Sequence, residues 1–372
     1  MRTEGSLSPL FRPFDFGRVV LRNRIAMAPM TRKHSPGGIP GPDVAAYYRR
    51  RAEGGVGLII TEGTTVGHPA ANAYPQVPAF HGVAALEGWR RVVEAVHGAG
   101  GAIIPQLWHT GLRRRPGVEP DSSVPGFGPM RIEEAGQEVV RAMTRADIAA
   151  VVEAFAQAAA EAERLGFDGV ELHGAHEYLL DQFLWPGTNQ RQDEYGGTLE
   201  NRLRFPLEVV RAVRGAVRPD FPVVFRFSQW KLSDYAARLA DTPEQLGDIL
   251  RPLAEAGVDV FHASTRRFWE PAFPGVPGTL AAWAKRLTGR PCIAVGSVGL
   301  EDAPGRGRPV SEGAATRLDR LEALAAGLRD GDYDLVAVGR ALLADPAWAE
   351  KLRQGRGSEI RSFEQQLLEQ LV

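Results

Sequence analysis

The chain has 372 residues, 44% of them hydrophobic, and a formal net charge of −1 spread along its length, which argues against electrostatic binding of nucleic acid or an anionic membrane. Its single cysteine, Cys292, excludes a disulfide framework, an iron–sulfur cluster and an all-cysteine zinc site. No apolar run approaches the roughly 20 residues of a membrane helix and no signal-like segment opens the chain, so we expect a cytoplasmic protein.

Eight short apolar runs, rich in Val and Ile, recur along the chain and end in polar or glycine-containing loops. They are RIAMAPM (24–30), GLIITEG (57–63), AIIPQLW (102–108), GVELHG (169–174), VVFRFS (223–228), VDVFHAS (258–264), CIAVGS (292–297) and DLVAVGR (334–340). Runs that are apolar on both faces are typical of parallel strands covered by helices.

Helical patterns lie between these runs. Apolar residues at helical spacing predict a helix over 145–165, with Thr144 as its N-cap. The sequence TPEQ (242–245) predicts a capping box with proline at the first helical position. Glycines mark the expected helix ends, each just before the next strand. They are Gly98, Gly166, Gly257 and Gly289.

Eight strand–helix units predict an α/β fold, a (β/α)₈ TIM barrel, and we expect one domain over 1–372. A doubly wound sheet is the alternative, but no G-x-G-x-x-G follows the first strand. Residues 9–24 predict a hairpin that could plug the bottom of the barrel. Residues 109–143 and 301–316 are Pro- and Gly-rich, and we interpret them as long loop excursions.

The active site of a barrel lies at the carboxyl ends of its strands, so the last two strand ends are informative. GSVG (296–299) follows the seventh strand and Gly339-Arg340 ends the eighth. Backbone N–H groups at a glycine turn and a helix start bind phosphate, and an arginine adds a bidentate cation. A tight turn alone is the simpler interpretation of GSVG, but its pairing with Arg340 favours a phosphate site.

The fourth run ends in two histidines and a tyrosine, His173, His176 and Tyr178. A zinc site would need a third protein ligand, and nothing in the spacing of His109 or His262 indicates one. Two imidazoles could instead donate N–H groups to one substrate oxygen, with Tyr178 as the general acid. This arrangement suits an activated alkene such as an enone, but side chains supply no hydride, so a redox cofactor is needed.

With these residues, the sequence resembles the old yellow enzyme family of flavin-dependent ene-reductases over essentially its whole length. The stretches that carry the resemblance are NRIAMAPMTR (23–32), TEGT (61–64), PQLWHTG (105–111), GVELHGAHEYLLDQFL (169–184), YGGTLENRLRF (195–205), FRFS (225–228), AVGS (294–297) and LVAVGRALLADP (335–346). The resemblance implies FMN held non-covalently in the barrel mouth, and NADH or NADPH as the reductant.

The resemblance also implies where FMN is held. Pro29, Met30 and Thr31 would lie along the flavin ring, and Gly63 would permit close backbone approach. Gln106 would pair with the pyrimidine edge of the ring, and Arg226 would offset its negative charge on reduction. The residues expected at the phosphate end are Gly296, Ser297, Gly339 and Arg340.

For the substrate, the resemblance implies that His173 and His176 bind its carbonyl oxygen and that Tyr178 donates a proton to its α-carbon, in a ping-pong cycle. Trp108 would line the pocket, unless it only packs beneath a loop. We expect small-molecule partners only, no metal, and either a monomer or a homo-oligomer. A related FMN barrel working as a demethylase or dehydrogenase, a flavoprotein without turnover and a non-flavin phosphate-binding barrel are the alternatives.

Two departures from the family pattern concern the mouth. Glu177 stands where relatives usually have glycine, and it either alters the surroundings of Tyr178 or, as we expect, points to solvent. The segment STRRFWEPAF (264–273) brings Phe268 and Trp269, which could reach over the substrate as an aromatic lid or serve as a structural plug. Because loops shape the mouth, these differences bear on substrate range.

Overall fold

The computed structural model describes residues 6–300 and 318–372. Within these residues, eight parallel strands form a closed barrel, in which the last strand pairs with the first. In order around the barrel they are β3 (Ile25–Met27), β4 (Leu58–Thr65), β5 (Ala102–Trp108), β9 (Val170–His173), β10 (Val223–Ser228), β11 (Val260–Ser264), β12 (Cys292–Val295) and β13 (Leu335–Val338). The predicted (β/α)₈ TIM barrel is confirmed: seven of the predicted runs contain a whole strand, and β4 extends two residues beyond the run at 57–63.

Helices follow the strands and cover the outside of the barrel. They are α1 (Pro42–Glu53), α2 (Val83–Gly98), α3 (Arg145–Arg164), α4 (Leu179–Leu184), α5 (Leu199–Ala216), α6 (Pro243–Ala256), α7 (Leu280–Thr288), α8 (Leu318–Asp330), α9 (Arg340–Ala344) and α10 (Trp348–Arg353). Because helices pack on one face of each strand and the barrel interior on the other, every residue of β4 and β10 is buried.

The predicted helix starts are present, with one difference. Thr144 accepts a hydrogen bond from the backbone N–H of Asp147, whose carboxylate accepts from Thr144 in return, so the first turn of α3 has a complete capping box. Thr242 likewise accepts from the N–H of Gln245. The Gln245 side chain, however, accepts from the N–H of Asp241, so the predicted box at α6 is only half formed.

Glycine ends three helices as predicted, since Gly166, Gly257 and Gly289 have φ of +89°, +123° and +67°. At α2 the prediction was wrong by two residues. Gly98 is the last helical residue, and the left-handed conformation falls at Gly100, with φ of +71°.

The amino-terminal hairpin closes the bottom of the barrel. Strands β1 (Phe14–Phe16) and β2 (Val19–Leu21) pair antiparallel. Phe16 and Leu21 are buried in one cluster with residues that line the barrel interior, among them Leu58 and Val224 at the starts of their strands. The predicted plug is confirmed, and its burial of apolar surface stabilises the end of the barrel opposite the mouth.

The predicted excursion at 109–143 contains structure of its own. Three strands form a small sheet, β6 (Gly126–Gly128), β7 (Ile132–Glu134) and β8 (Gln137–Ala142). The second predicted excursion, 301–316, lies outside the described residues. Among the residues that are described, no helix is long and apolar enough to cross a membrane.

Candidate active site

A cavity of about 430 Å³ opens at the carboxyl ends of the barrel strands. Its wall takes residues from the ends of β3, β10, β11, β12 and β13 and from the loop after β9. The predicted site residues that line it are Pro29, Met30, His176, Arg226, Gly296, Ser297, Gly339 and Arg340. Residues that are far apart in sequence therefore meet because parallel strands all end at one rim.

The end of the cavity at β12 and β13 is cationic. Arg340 begins α9 and is half-buried, and no described residue forms a hydrogen bond or ion pair with its guanidinium. Burial lowers the pKa of Arg340, and the nearby charge of Arg266 lowers it further. The Arg340 guanidinium has no carboxylate partner among the described residues, so this end of the cavity favours an anion.

The turn at the end of β12 is shaped by the neighbouring strand. Gly296 has φ of +149°, and a Cβ there would lie 2.5 Å from Thr265 Oγ1. Ser297 has φ of +50°, and its hydroxyl donates to the Arg266 carbonyl at 2.9 Å. The Ser297 hydroxyl is therefore already engaged within the loop, which leaves backbone N–H groups and Arg340 as the donors for a phosphate.

Arg226 lies in the middle of the cavity wall and is 7% exposed. Its Nη2 donates to Ser264 Oγ at 3.2 Å, while its buried Nε has no partner. Burial lowers the pKa of Arg226, and Glu171 opposes that shift. A buried cation with a free N–H is costly in isolation, so this position fits an electron-rich ligand edge.

Gln106 belongs to a buried chain of polar groups behind the rim. Its Nε2 donates to Glu171 Oε1 at 2.7 Å, and Glu171 Oε2 contacts His262 Nδ1 at 2.6 Å. Glu171 and His262 are fully buried within strands β9 and β11. This chain fixes the amide of Gln106, and with Nε2 engaged the amide oxygen is the atom left to accept from a ligand.

His173 ends β9 and is 5% exposed. Its Nδ1 accepts the backbone N–H of Ala175 at 3.3 Å, so the neutral ring carries its proton on Nε2. Burial lowers the pKa of His173 well below its usual value, and the charge of Arg226 adds to this. At neutral pH the imidazole is therefore uncharged and has one N–H to donate.

His176 is held by two serines. Its backbone N–H donates to Ser228 Oγ at 3.0 Å, and its Nε2 lies 2.8 Å from Ser264 Oγ. Because Arg226 can only donate, the Ser264 oxygen accepts from it and the Ser264 hydroxyl hydrogen is available for Nε2. With that hydrogen donated to Nε2, the proton of neutral His176 is on Nδ1. Burial, then Arg226, lowers the pKa of His176 well below its usual value.

His176 also adopts an uncommon backbone conformation. Its φ is +61° and that of the next residue, Glu177, is +62°. Two consecutive non-glycine residues in the left-handed region are unusual and costly, and such strain concentrates at functional sites. The indole of Trp230 stacks on the imidazole at 4.3 Å between ring centroids, and together with the serines it holds the ring in place.

Tyr178 stands beside His173, with 4.8 Å between their ring centroids. The two phenol oxygens of Tyr178 and Tyr74 are 3.3 Å apart. Burial, then Tyr74, raises the pKa of Tyr178 well above its usual value, so the hydroxyl keeps its proton. Trp108, 2% exposed, stacks on Tyr74 and meets the edge of Tyr178, so it packs against both tyrosines.

Gly63 and Thr31 lie next to this cluster. A Cβ at Gly63 would lie 2.5 Å from Trp108 Cε3, so the group that demands glycine here is the indole. Thr31 follows Met30, and its side chain is exposed. The loop after it is fixed by Glu62, a buried carboxylate that accepts the backbone N–H groups of Arg32 and Lys33.

The structure differs from the expectation for Glu177 and favours one of the two alternatives for Phe268 and Trp269. Glu177 does not point freely into solvent, because Arg113 Nη2 lies 2.7 Å from its carboxylate and the N–H of Ser233 donates to it. Phe268 and Trp269 do not line the cavity. Phe268 is buried in the main core and Trp269 packs beneath the Arg320 guanidinium at 3.8 Å, which is the geometry of a structural plug.

Four residues of the site had no assigned role in the sequence interpretation: Tyr74, Glu171, His262 and Ser264. Glu171 and His262 interrupt apolar strand runs, and a buried polar residue in such a run was the signal that could have identified them. Tyr74 lies in the long connection after β4, where no pattern indicates that it returns to the mouth.

A closed barrel with a cationic pocket at the ends of its last two strands is the architecture of a phosphate-binding barrel enzyme. The model of the NADH:flavin oxidoreductase / NADH oxidase family matches residues 9–304. The chain therefore belongs to this family, that of the old yellow enzymes, and is an oxidoreductase with FMN as cofactor and a reduced nicotinamide as reductant.

Individual relatives agree with this family. The chain is 34% identical to 12-oxophytodienoate reductase 7 of Oryza sativa subsp. japonica over 372 residues, which covers 94% of this chain and 89% of the relative. It is 35% identical to an NADH oxidase of Thermoanaerobacter brockii over 361 residues, which covers 95% of this chain but only 52% of the oxidase. The chain thus spans about half the length of that relative.

Solved structures give the same result. A morphinone reductase in complex with tetrahydroNAD superposes with a TM-score of 0.79 at 31% identity, covering 96% of this chain and 93% of the reductase. An old yellow enzyme homologue from Zymomonas mobilis, 24% identical, shares the fold with a TM-score of 0.78.

The residues present fit FMN. The Arg340 guanidinium, which has no partner among the described residues, lies at the cationic end of the cavity, and the free Nε of the buried Arg226 lines the same cavity. Neither the Arg340 guanidinium nor the Arg226 Nε has a hydrogen-bond acceptor among the described residues. An anionic cofactor with many acceptor atoms would supply one to each.

Proposed function

We propose that the protein is an FMN-dependent ene-reductase that uses NADH or NADPH to reduce C=C bonds conjugated to a carbonyl group. The observation that carries this proposal is the set of neutral donors beside the cavity, two histidines with one free N–H each and a tyrosine that keeps its proton. The names of relatives, 12-oxophytodienoate reductases and a morphinone reductase, support a reductase.

The two histidines bind the substrate oxygen. His173 donates from Nε2 and His176 from Nδ1, and both rings are uncharged at neutral pH. Hydrogen bonds from fixed, poorly solvated donors stabilise the negative charge that develops on a carbonyl oxygen during reduction at the β-carbon. Because the two rings are held by Ala175 and Ser264, they need little reorganisation when this charge appears.

Tyr178 delivers the proton to the α-carbon. A general acid must lie close to the reacting atoms and keep its proton until the transition state. Its raised pKa satisfies the second condition, and its packing against His173 and Trp108 satisfies the first for a substrate bound by the histidines.

The cofactor is held by residues around the rim. Arg340 and the backbone at Gly296, Ser297 and Gly339 would bind the FMN phosphate, and Pro29, Met30 and Thr31 would flank the flavin ring. Arg226 and Gln106 would bind its pyrimidine edge, where the Arg226 cation offsets the negative charge of the reduced ring. When bound, FMN supplies the hydride that no side chain can provide.

The test uses the purified holoenzyme under anaerobic conditions. NADPH or NADH should bleach its yellow colour, and cyclohexenone should restore it with formation of cyclohexanone. Air serves as the control, because an enzyme that only oxidises NADH recovers its colour with oxygen and not with the enone. Recovery with oxygen alone would contradict the ene-reductase assignment, while leaving the family assignment in place.

A further inference from the structure

A second cavity, of about 330 Å³, adjoins the mouth of the barrel on the side of β11. The two cavities share Trp230, Ser264, Thr265 and Arg266 in their walls. We call the second cavity the side groove. None of the roles proposed above uses it, although it opens next to the histidines.

The side groove combines aromatic rings with arginines. Trp230 and Tyr235 line it with 5.5 Å between their ring centroids, and Tyr235 is 42% exposed. The Arg266 guanidinium lies over the Tyr235 ring at 4.5 Å. Flat rings that can stack on a base, next to cations that can bind phosphate oxygens, are the recognition groups for a nucleotide.

Arg266 is the cation of this groove that is free to bind an anion. Among the described residues, no hydrogen bond or ion pair engages its guanidinium. Arg267, also in the groove wall, lies 3.0 Å from the carboxylate of Glu270. The repulsion between Arg266 and Arg340 adds to the cost of leaving this pair without an anion.

The groove begins where the reactants meet. Trp230 stacks on His176, so the wall of the groove is continuous with the imidazole proposed to bind the substrate oxygen. If the nicotinamide ring of the reductant binds at this imidazole, the ADP half of the dinucleotide needs a binding site nearby. The side groove is the adjoining space of suitable chemistry.

We propose that the side groove binds the ADP half of NADH or NADPH, with the pyrophosphate on Arg266 and the adenosine along Tyr235 and Trp230. The proposal rests on the proposed function only for its reductant, a nicotinamide dinucleotide. It makes Arg266 a residue for reductant affinity, distinct from Arg340, which serves the FMN phosphate.

The test measures flavin reduction in the FMN-loaded enzyme by anaerobic stopped-flow absorbance, with NADPH, NADH and reduced nicotinamide mononucleotide, which lacks the ADP half. Loss of a charge-assisted hydrogen bond predicts that Arg266→Ala raises the apparent Kd for both dinucleotides about tenfold. The Kd for the mononucleotide should change less than about twofold, and Arg266→Lys should restore part of the dinucleotide affinity.

Arg251→Ala is the matched control, because it removes the same charge from the exposed face of α6, outside both cavities. It should leave every one of these constants unchanged. FMN affinity, measured by fluorescence titration of the apoprotein, should also be unchanged by Arg266→Ala.

Three results would overturn the proposal. Equal weakening of the mononucleotide and the dinucleotides would show that Arg266 acts on the nicotinamide end. A loss of FMN affinity would assign Arg266 to the cofactor phosphate, and a loss confined to an enone that carries a carboxylate would assign the groove to the substrate. If NADPH reduces the flavin with the predicted dependence on Arg266 but cyclohexenone does not reoxidise it, the proposed function fails and this inference stands.

Discussion

The two sides of the barrel mouth differ in how their polar groups are satisfied. On the side of β11 to β13, Arg340 and Arg266 carry charge without a described partner. On the side of β5 and β9, His173 and Tyr178 are uncharged, and each already makes one hydrogen bond within the protein.

This difference separates binding from chemistry. Unpaired cations gain most when an anionic ligand arrives, so the first side is built for affinity. Neutral, fixed donors gain most when charge develops during a reaction, so the second side is built for rate. Substitutions on the two sides should therefore change different measurements.

Tyr178→Phe should have the largest effect, and on one half-reaction only. Removal of a general acid typically costs about 100-fold to 10,000-fold, so reoxidation of the reduced enzyme by cyclohexenone should slow at least about 100-fold. Reduction by NADPH should stay within about twofold of wild type. Stopped-flow absorbance of the flavin measures both rates separately.

Tyr74→Phe is the matched control, because it removes the neighbouring hydroxyl 3.3 Å away and keeps the ring that stacks on Trp108. We expect less than about a tenfold effect on reoxidation, since Tyr178 still holds its own proton. If Tyr178→Phe reoxidises as fast as wild type, the proton comes from elsewhere and the second side is not built for rate in the way proposed.

The sequence predicted the barrel and most of the rim because both follow from local patterns. Apolar runs located all eight strands, and the end of each run located the rim residues. It could not predict bonds between side chains that lie far apart, such as the contact of His176 with Ser264, 88 positions apart. The positions of loop residues could not be predicted either. Contacts with other segments place Tyr74 and Glu177, and no periodic pattern in the sequence indicates those contacts.

Arg340→Gln tests the first side. It should weaken FMN binding by about 2 kcal/mol, or about thirtyfold in Kd, because a charge-assisted contact to phosphate is replaced by a neutral one. Fluorescence titration of the apoprotein with FMN measures this. Once the variant is saturated with FMN, its reoxidation rate by cyclohexenone should equal that of wild type, and a slow rate at saturation would show that the two sides are not separable.

Glu62→Gln tests the protonation state of a buried carboxyl group behind the side of the mouth that has uncharged donors. Burial raises the pKa of the Glu62 carboxyl from 4.5 to about 7. Between these pH values Glu62 is protonated in the folded protein but ionised in the unfolded chain. The free energy of unfolding therefore falls as pH rises, and the stabilisation from the neutral carboxyl is lost once pH has risen through about 7. Glutamine is neutral at every pH and keeps the oxygen that accepts from Arg32.

The stability of Glu62→Gln relative to wild type should therefore rise by about 2 kcal/mol between pH 5 and pH 7. Thermal unfolding at several pH values measures the difference. Glu255→Gln is the matched control, because it removes a carboxylate from the exposed face of the helix α6. A pH-independent difference for Glu62→Gln would mean that Glu62 is ionised throughout.

His173→Ala and His176→Ala should each weaken binding of a phenol, whose phenolate oxygen resembles the developing enolate, by about tenfold. Titration of the flavin absorbance with p-chlorophenol measures the Kd. Ser264→Ala keeps the imidazole of His176 but removes the hydroxyl that directs its proton to Nδ1, so an intermediate loss of about threefold is expected.

The pKa values of the same histidines predict how the reoxidation rate depends on pH. Because burial and Arg226 hold their pKa values well below 6.5, neither ring should gain a proton between pH 6 and pH 8. The rate of reoxidation by cyclohexenone should then be flat over this range in wild type. A change in this rate near pH 6.5 that disappears in His176→Ala would mean that a charged imidazole binds the substrate oxygen. The second side would then use a cation, as the first side does.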